Sequence, residues 1–329
     1  MHPAFSVIFL TTLIGAGQGL FIALVALEYL GKADLLPMQD GAFFAQGSLG
    51  ALVLLGLGLF ASFFHLGRPE RAWRSATKWR TSWLSREVIV LPAFMGVVFL
   101  YGLVHWSAFN PVVITMNHLE VSASAVLGIA GVLLAVALFV CTAMIYAAVK
   151  FLQEWHSPLT VVNYTVLGAA SGFTLATVLA AWLAPSLVTF VGMTAVGLTL
   201  LGLLTRVAAL FRNARLKPKS TLQTAIGIKH PRIVQKSMGF MGGSFNTREF
   251  FHHRSLGFLA GVKWTFLIGA FLIPVFLLIL GMALPTEADI SAWVLTTAFA
   301  VQYLSLLAER WYFFAEANHP QNLYYQSVA

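Results

Sequence analysis

A chain of 329 residues in which 59% are hydrophobic and only 10% charged has too little polar material to coat a water-exposed globule, since soluble domains carry about 25% charged residues. The net charge of +8 then reads as a report on membrane orientation rather than on nucleic acid. The single cysteine, Cys141, excludes a disulfide framework and any cysteine-ligated iron–sulfur cluster built by this chain alone.

The first residues lack a basic leader region and a small-residue cleavage site, so the first apolar run, Phe5–Leu30, is read as a helix of the mature protein. A span needs about 20 largely apolar residues. Further runs of that kind are Ala42–Phe64, Val88–Phe109, Val121–Tyr146, Pro158–Leu183, Ser186–Leu210, Gly257–Leu284 and Ile290–Phe314. The expected fold is therefore all-α, a polytopic eight-transmembrane-helix bundle forming one integral membrane domain over 1–329.

Gly47, Gly50, Gly56 and Gly58 in the second run point to close helix packing rather than a phosphate loop. Pro92 and Pro274 fall inside spans and predict kinks. Only Ala184 and Pro185 separate the fifth and sixth runs, so one re-entrant element is the alternative there.

Two loops stand out. The segment HLGRPERAWRSATKWRTSWLSRE interleaves cations with Trp73, Trp79 and Trp83, and the i, i+4 spacing of Trp79 and Trp83 predicts an interfacial amphipathic helix opened by Pro69. A longer basic loop, 211–256, contains MGFMGGSFNTREFFHH, with Phe240, Phe245, Phe250 and Phe251, and reads as a docking platform. Arg71, Arg74, Trp79, Arg248 and Phe250 are the candidate docking residues, the first three from the earlier loop and the last two from the longer one. His252 and His253 are adjacent and make a poor metal arrangement, so no metal site is expected.

Basic residues crowd the second, fourth and sixth loops, while Lys32 alone marks the other side. The positive-inside rule places both termini and the even-numbered loops in the cytoplasm of a bacterial inner membrane.

Ionisable residues at membrane depth raise a functional question. Glu28 lies near the outer end of the first run; the others gather at the inner side. His65 ends the second run and Glu87 opens the third, at one depth if the two helices are antiparallel. Such a pair suits a quinone site, where an imidazole bonds a quinone oxygen and a carboxylate relays the proton. Helix caps or interface residues are the plainer reading. Glu309, Arg310 and Arg206 read as helix-pairing or pocket support. A haem anchor would need facing histidines, for which the outer side offers only His105 and His118 and the inner side His65 and His156. A transporter would show mid-membrane charge and repeated halves, and no repeat is visible.

The HLG at His65–Gly67, the Ser85–Glu87 segment and the final AERWYFFAEA resemble the membrane anchor subunit of dimethyl sulfoxide reductase-type enzymes, the DmsC-like family. The resemblance implies a docking base for two partners, a molybdopterin catalytic subunit and an iron–sulfur subunit. It also implies binding of ubiquinone or menaquinone, with no haem or cluster and no catalytic centre on this chain. By motif the quinone-site histidine and glutamate fall on His65 and Glu87, with Arg68, Ser85 and Arg86 beside them. NTREFFHH and EANHPQNLYYQ look more like the anchor of cytoplasmic sulfite-oxidising molybdoenzymes. The expected reaction is thus sulfite oxidation coupled to quinone reduction. A DMSO reductase-type complex oxidising menaquinol is the alternative.

Overall fold

The computed structural model describes residues 1–116, 119–236, 245–285 and 289–324; the expectations placed on His118, Phe240 and the glycines of MGFMGG lie outside them. Among the described residues, eight helices are long and apolar enough to cross a membrane. They are α1 (Phe5–Lys32), α2 (Gly41–Ser62), α3 (Trp83–Trp106), α4 (Ala123–Ala147), α5 (Pro158–Leu183), α6 (Val188–Ala214), α7 (Leu256–Ala283) and α8 (Asp289–Glu316). Polar side chains mark several of their starts: Asp40, Ser82, Ser157 and Ser255 each accept a backbone N–H of the first turn, satisfying donors that lipid cannot.

The most enclosed helix is α1, packed by α2, α4, α5 and α8. Its closest crossing is with α5. Gly15 and Gly19 of α1 meet Gly168 and Gly172 of α5, and a Cβ at Gly19 or Gly172 would run into the partner backbone. Without a hydrophobic drive between helices in lipid, such small-residue seams supply the packing. Around them Phe21 meets Phe94 and Tyr101 edge-on, at 5.5 and 5.2 Å.

Pro274 interrupts α7, and the turn before it, Ile268–Leu272, widens to a π-helix. The carbonyl that Pro274 leaves without its helical donor is that of Ala270. Gln302 of α8 reaches it at 3.4 Å and also donates to Thr199 at 3.0 Å. Ala184 and the short 3-10 turn Pro185–Leu187 separate α5 from α6, so these are distinct helices.

Two local expectations change. The tryptophan-rich loop forms a 3-10 helix over Pro69–Lys78, and Trp79 sits in the turn that follows while Trp83 opens α3. Ser82 caps α3 between them, so the two rings do not share one helix. Between α3 and α4 the chain forms a small antiparallel hairpin, β1 (Val112–Met116) and β2 (Leu119–Ser122). The β-branched run Val112–Thr115 was the signal for it.

Residues at both ends of the chain share one face of the bundle. The backbone N–H of His2 donates to Glu249 O, and Asn322 donates to Phe250 O. We call this the terminal face.

Candidate functional site

Glu87 lies one turn into α3, at the terminal-face end, and is buried. Its carboxylate turns toward α4, where Thr142 Oγ1 donates to it at 2.5 Å. The neighbouring Ser85 is buried too and is held to the cap by its N–H to Ser82. Arg86 points elsewhere. It donates to the carbonyls of Trp79 and Arg80, each at 2.9 Å, and lies over the Trp83 ring at 4.1 Å. Its charge therefore braces the tryptophan-rich loop and makes no pair with Glu87.

His65 ends the 3-10 turn Phe63–His65 that finishes α2, and it is exposed, as is Arg68. Phe60, Phe63, Phe64 and Trp73 present exposed rings on the same stretch. His65 and Glu87 thus stand at adjoining ends of packed helices, with no hydrogen bond or ion pair between them.

A second buried group joins α6 and α8. Arg206 Nε meets Glu309 Oε1 at 2.7 Å, and Arg310 Nε approaches Glu309 Oε2 at 3.6 Å. Arg206 also reaches toward Glu316 at 3.9 Å. Adjacent in sequence, Glu309 and Arg310 diverge as a helix requires: Glu309 faces α6, whereas Arg310 crosses to α5 and lies 3.8 Å over the Tyr164 ring. A narrow cleft beside this group, with room for about one water molecule, runs out to the half-buried Glu154, Arg212 and Asn213.

The third group lies at the opposite face and was not assembled by sequence reasoning. Glu28 is fully buried and accepts from Lys32 at 2.5 Å, Ser124 at 2.5 Å and Tyr101 at 2.7 Å. His105 Nε2 stands 3.6 Å from the same carboxylate, its ring packed between Phe44 and Tyr101. Asn110 ties the preceding loop to Ser124. The i, i+4 spacing of Glu28 and Lys32 was the one available signal.

The candidate docking residues lie on the terminal face. Arg71 is exposed beside Glu70, and Arg74 and Arg80 lie over Trp73 and Trp79. Arg248 belongs to a short helix, Phe245–Glu249. Phe250 stacks on His319 at 3.7 Å, so the loop is clasped to the segment after α8. Burial, helped by the nearby N-terminal amine, holds the His319 imidazole below its ordinary pKa. Among the described residues, no group of three or more His, Cys, Asp or Glu side chains is placed to hold a metal ion.

A family model for the DMSO reductase anchor subunit (DmsC) matches residues 1–229. The chain belongs to the DmsC family. It is similar to the C-subunit of sulfite dehydrogenase from Allochromatium vinosum, 58% identical over 330 residues that span the whole of both chains. As a DmsC-family member it is a multi-pass membrane protein and an anchor subunit of an oxidoreductase complex. The family match takes in His65, Glu87 and Arg206; the partner of Arg206, Glu309, lies beyond the matched residues. Among the described residues of this DmsC-family chain, three carboxylates are buried at helix positions facing polar partners, Glu28, Glu87 and Glu309. Two of the three sit in ion pairs, and Glu87 does not.

Proposed function

We propose that this chain is the quinone-binding anchor of a sulfite-oxidising molybdoenzyme complex in the bacterial inner membrane. Its partners are a molybdopterin catalytic subunit and an iron–sulfur subunit, docked on a cytoplasmic terminal face. The observation that carries the reading is Glu87, a buried carboxylate whose contact is a neutral hydroxyl and which no described cation pairs. A carboxyl kept out of water without a counter-charge is ready to take up and release a proton, the property a quinone site needs. His65 supplies an imidazole at an exposed, aromatic-lined helix end, where a lipid-soluble ligand has access. The name of the similar A. vinosum protein supports sulfite as the electron source.

The quinone substrate takes up two electrons from the iron–sulfur partner and two protons from water. In this reading His65 hydrogen-bonds a quinone carbonyl and Glu87 hands on protons, with Thr142 fixing its carboxyl. Arg86 holds the tryptophan-rich loop over the site while Arg68 and Ser85 shape its rim. The basic loops carry the docked iron–sulfur protein, through Arg71, Arg74, Trp79, Arg248 and Phe250.

Purification of the chain from its native membrane tests the whole reading. Molybdenum and iron should co-purify, and sulfite should reduce a short-chain quinone such as decylubiquinone. A chain that purifies alone, or a complex whose quinone turnover survives both His65→Ala and Glu87→Gln, overturns it.

A further inference from the structure

Glu87 is buried, and a proton-handling role requires a way for protons to reach it from water. A second set of buried polar groups, the one around Glu309, lies at the same end of the bundle. It continues toward Glu87 through two tyrosines. Thr142, which holds Glu87, and Tyr146 lie one turn apart on α4 and so share a face. The Tyr146 ring stacks on Tyr164 of α5 at 5.6 Å, and Tyr164 in turn lies under the Arg310 guanidinium at 3.8 Å. Glu87 is close enough to both tyrosines to act on them electrostatically.

Beyond Tyr164 the groups reach the surface. Glu309 bridges Arg310 and Arg206, and Arg206 faces Glu316, which has Asn213 beside it. The cleft along this group opens at Glu154 and Asn213, and the wider pocket next to it shares those two residues. Asn163 Oδ1 and Glu309 Oε2 make no hydrogen bond within the described protein although they are buried. The cleft has room for about one water molecule beside these atoms, which could bridge them.

We propose that this thread, from Glu316 past Glu309 and Tyr164 to Tyr146 and Glu87, is the proton-uptake path of the quinone site; it rests on the function proposed above. Each proton that leaves Glu87 for the quinone is replaced from water at the Glu316 end. Hydroxyl and water protons shift by one place along Tyr164 and Tyr146, and two such passages accompany the two electrons supplied by the iron–sulfur partner. Glu309 stays paired with Arg206 and Arg310 and offsets half of their charge, so it is a positioning residue. Tyr312, Glu154 and Arg212 are the other titratable or charged groups around the cleft, with Cys141 and Arg86 near Glu87.

The test uses the assembled complex with Tyr164→Phe, which keeps the ring under Arg310 and removes only the hydroxyl, and with Tyr146→Phe as a second variant. Dye-linked sulfite oxidation by the partner subunits reports assembly. Sulfite-to-decylubiquinone turnover is then followed against pH and in deuterium oxide. The expected result is at least a 10-fold fall in kcat with KM for the quinone unchanged. The deficit should widen as pH rises and protons become scarce, and the solvent isotope effect should grow. Wild-type turnover and pH profile in both tyrosine variants, with Glu87→Gln impaired, overturn the path and leave the quinone site standing. Wild-type turnover in Glu87→Gln removes the path, whose end point it is, and wild-type turnover in His65→Ala as well removes the quinone reading.

Discussion

Glu28 and Glu87 are both carboxylates sunk into helix ends, at opposite faces of one bundle, and they are furnished in opposite ways. Glu28 has a lysine, two hydroxyls and an imidazole around it. Glu87 has a threonine. The first arrangement saturates the lone pairs of an ionised carboxylate and offsets its desolvation with a cation, so it fastens α1, α3 and α4 together. The second leaves the charged form of the carboxyl without an opposing charge, which serves proton exchange better than adhesion. Burial alone is therefore a poor guide to function in this chain, and the identity of the partner decides.

That contrast can be broken from either end. The largest effect is expected for Glu28→Gln, which strands Lys32 and a polar pocket. It should cost about 3 kcal/mol of stability in detergent, the low end for a broken buried pair, because Lys32 keeps 34% of its side chain exposed. Quinone turnover per assembled complex should not change, and Lys32→Met added to Glu28→Gln should restore part of the loss. A thermal melt unchanged by Glu28→Gln would contradict the structural role. Next comes Glu87→Gln, whose amide still accepts from Thr142. Its melting behaviour should match wild type while quinone turnover falls about 100-fold, the low end for a lost proton-transfer group. A variant with a lowered melting temperature and wild-type turnover would reverse the assignment of the two carboxylates.

A smaller effect is expected at a neutral contact. Gln302→Leu removes the donor to Ala270 O and Thr199 and should lower stability by about 1–2 kcal/mol, read from the same melts. If it is silent, the proline break in α7 is satisfied by other means. The smallest is a pH effect at the terminal face. His319 is held below its ordinary value of 6.5, chiefly by burial, so the packed state favours the neutral ring. The unfolded segment takes the proton first as pH falls. The Phe250–His319 contact is then full above about pH 6.5 and weakens as acid carries the ring through its lowered folded value. Amide-exchange protection over 245–253, corrected for the intrinsic rate, should fall as pH drops below about 6.5, and His319→Phe should remove that dependence.

The eight spans were legible because lipid forces a helix to satisfy its own backbone, leaving length and hydropathy as sufficient signals. Depth was legible for the same reason, and so His65, Glu87, Glu309 and Arg206 could all be placed toward the terminal face. Azimuth was not. Nothing near Glu87 in the chain says that its carboxylate turns to Thr142 of α4, nor that Arg86 turns away to the carbonyls of Trp79 and Arg80. The Glu309–Arg206 pair needed the packing of α8 against α6, and the Gly15/Gly19 and Gly168/Gly172 seam needed a crossing between α1 and α5. The hairpin between α3 and α4 was missed because a short β-branched run beside a long apolar one reads as loop. The Trp79–Trp83 expectation failed on a single polar residue, since Ser82 starts a new helix between the rings.

The clasp that joins His2 to Glu249 and Asn322 to Phe250 has a practical side. His2 and Asn322, near the two ends of the described chain, lie beside the loop on which the proposed soluble partner would rest. A purification handle or fluorescent fusion added at either end would crowd that neighbour, and failure to recover a complex from such a strain would report the handle. An epitope on the opposite face of the bundle, where Glu28 sits, leaves the proposed docking face free.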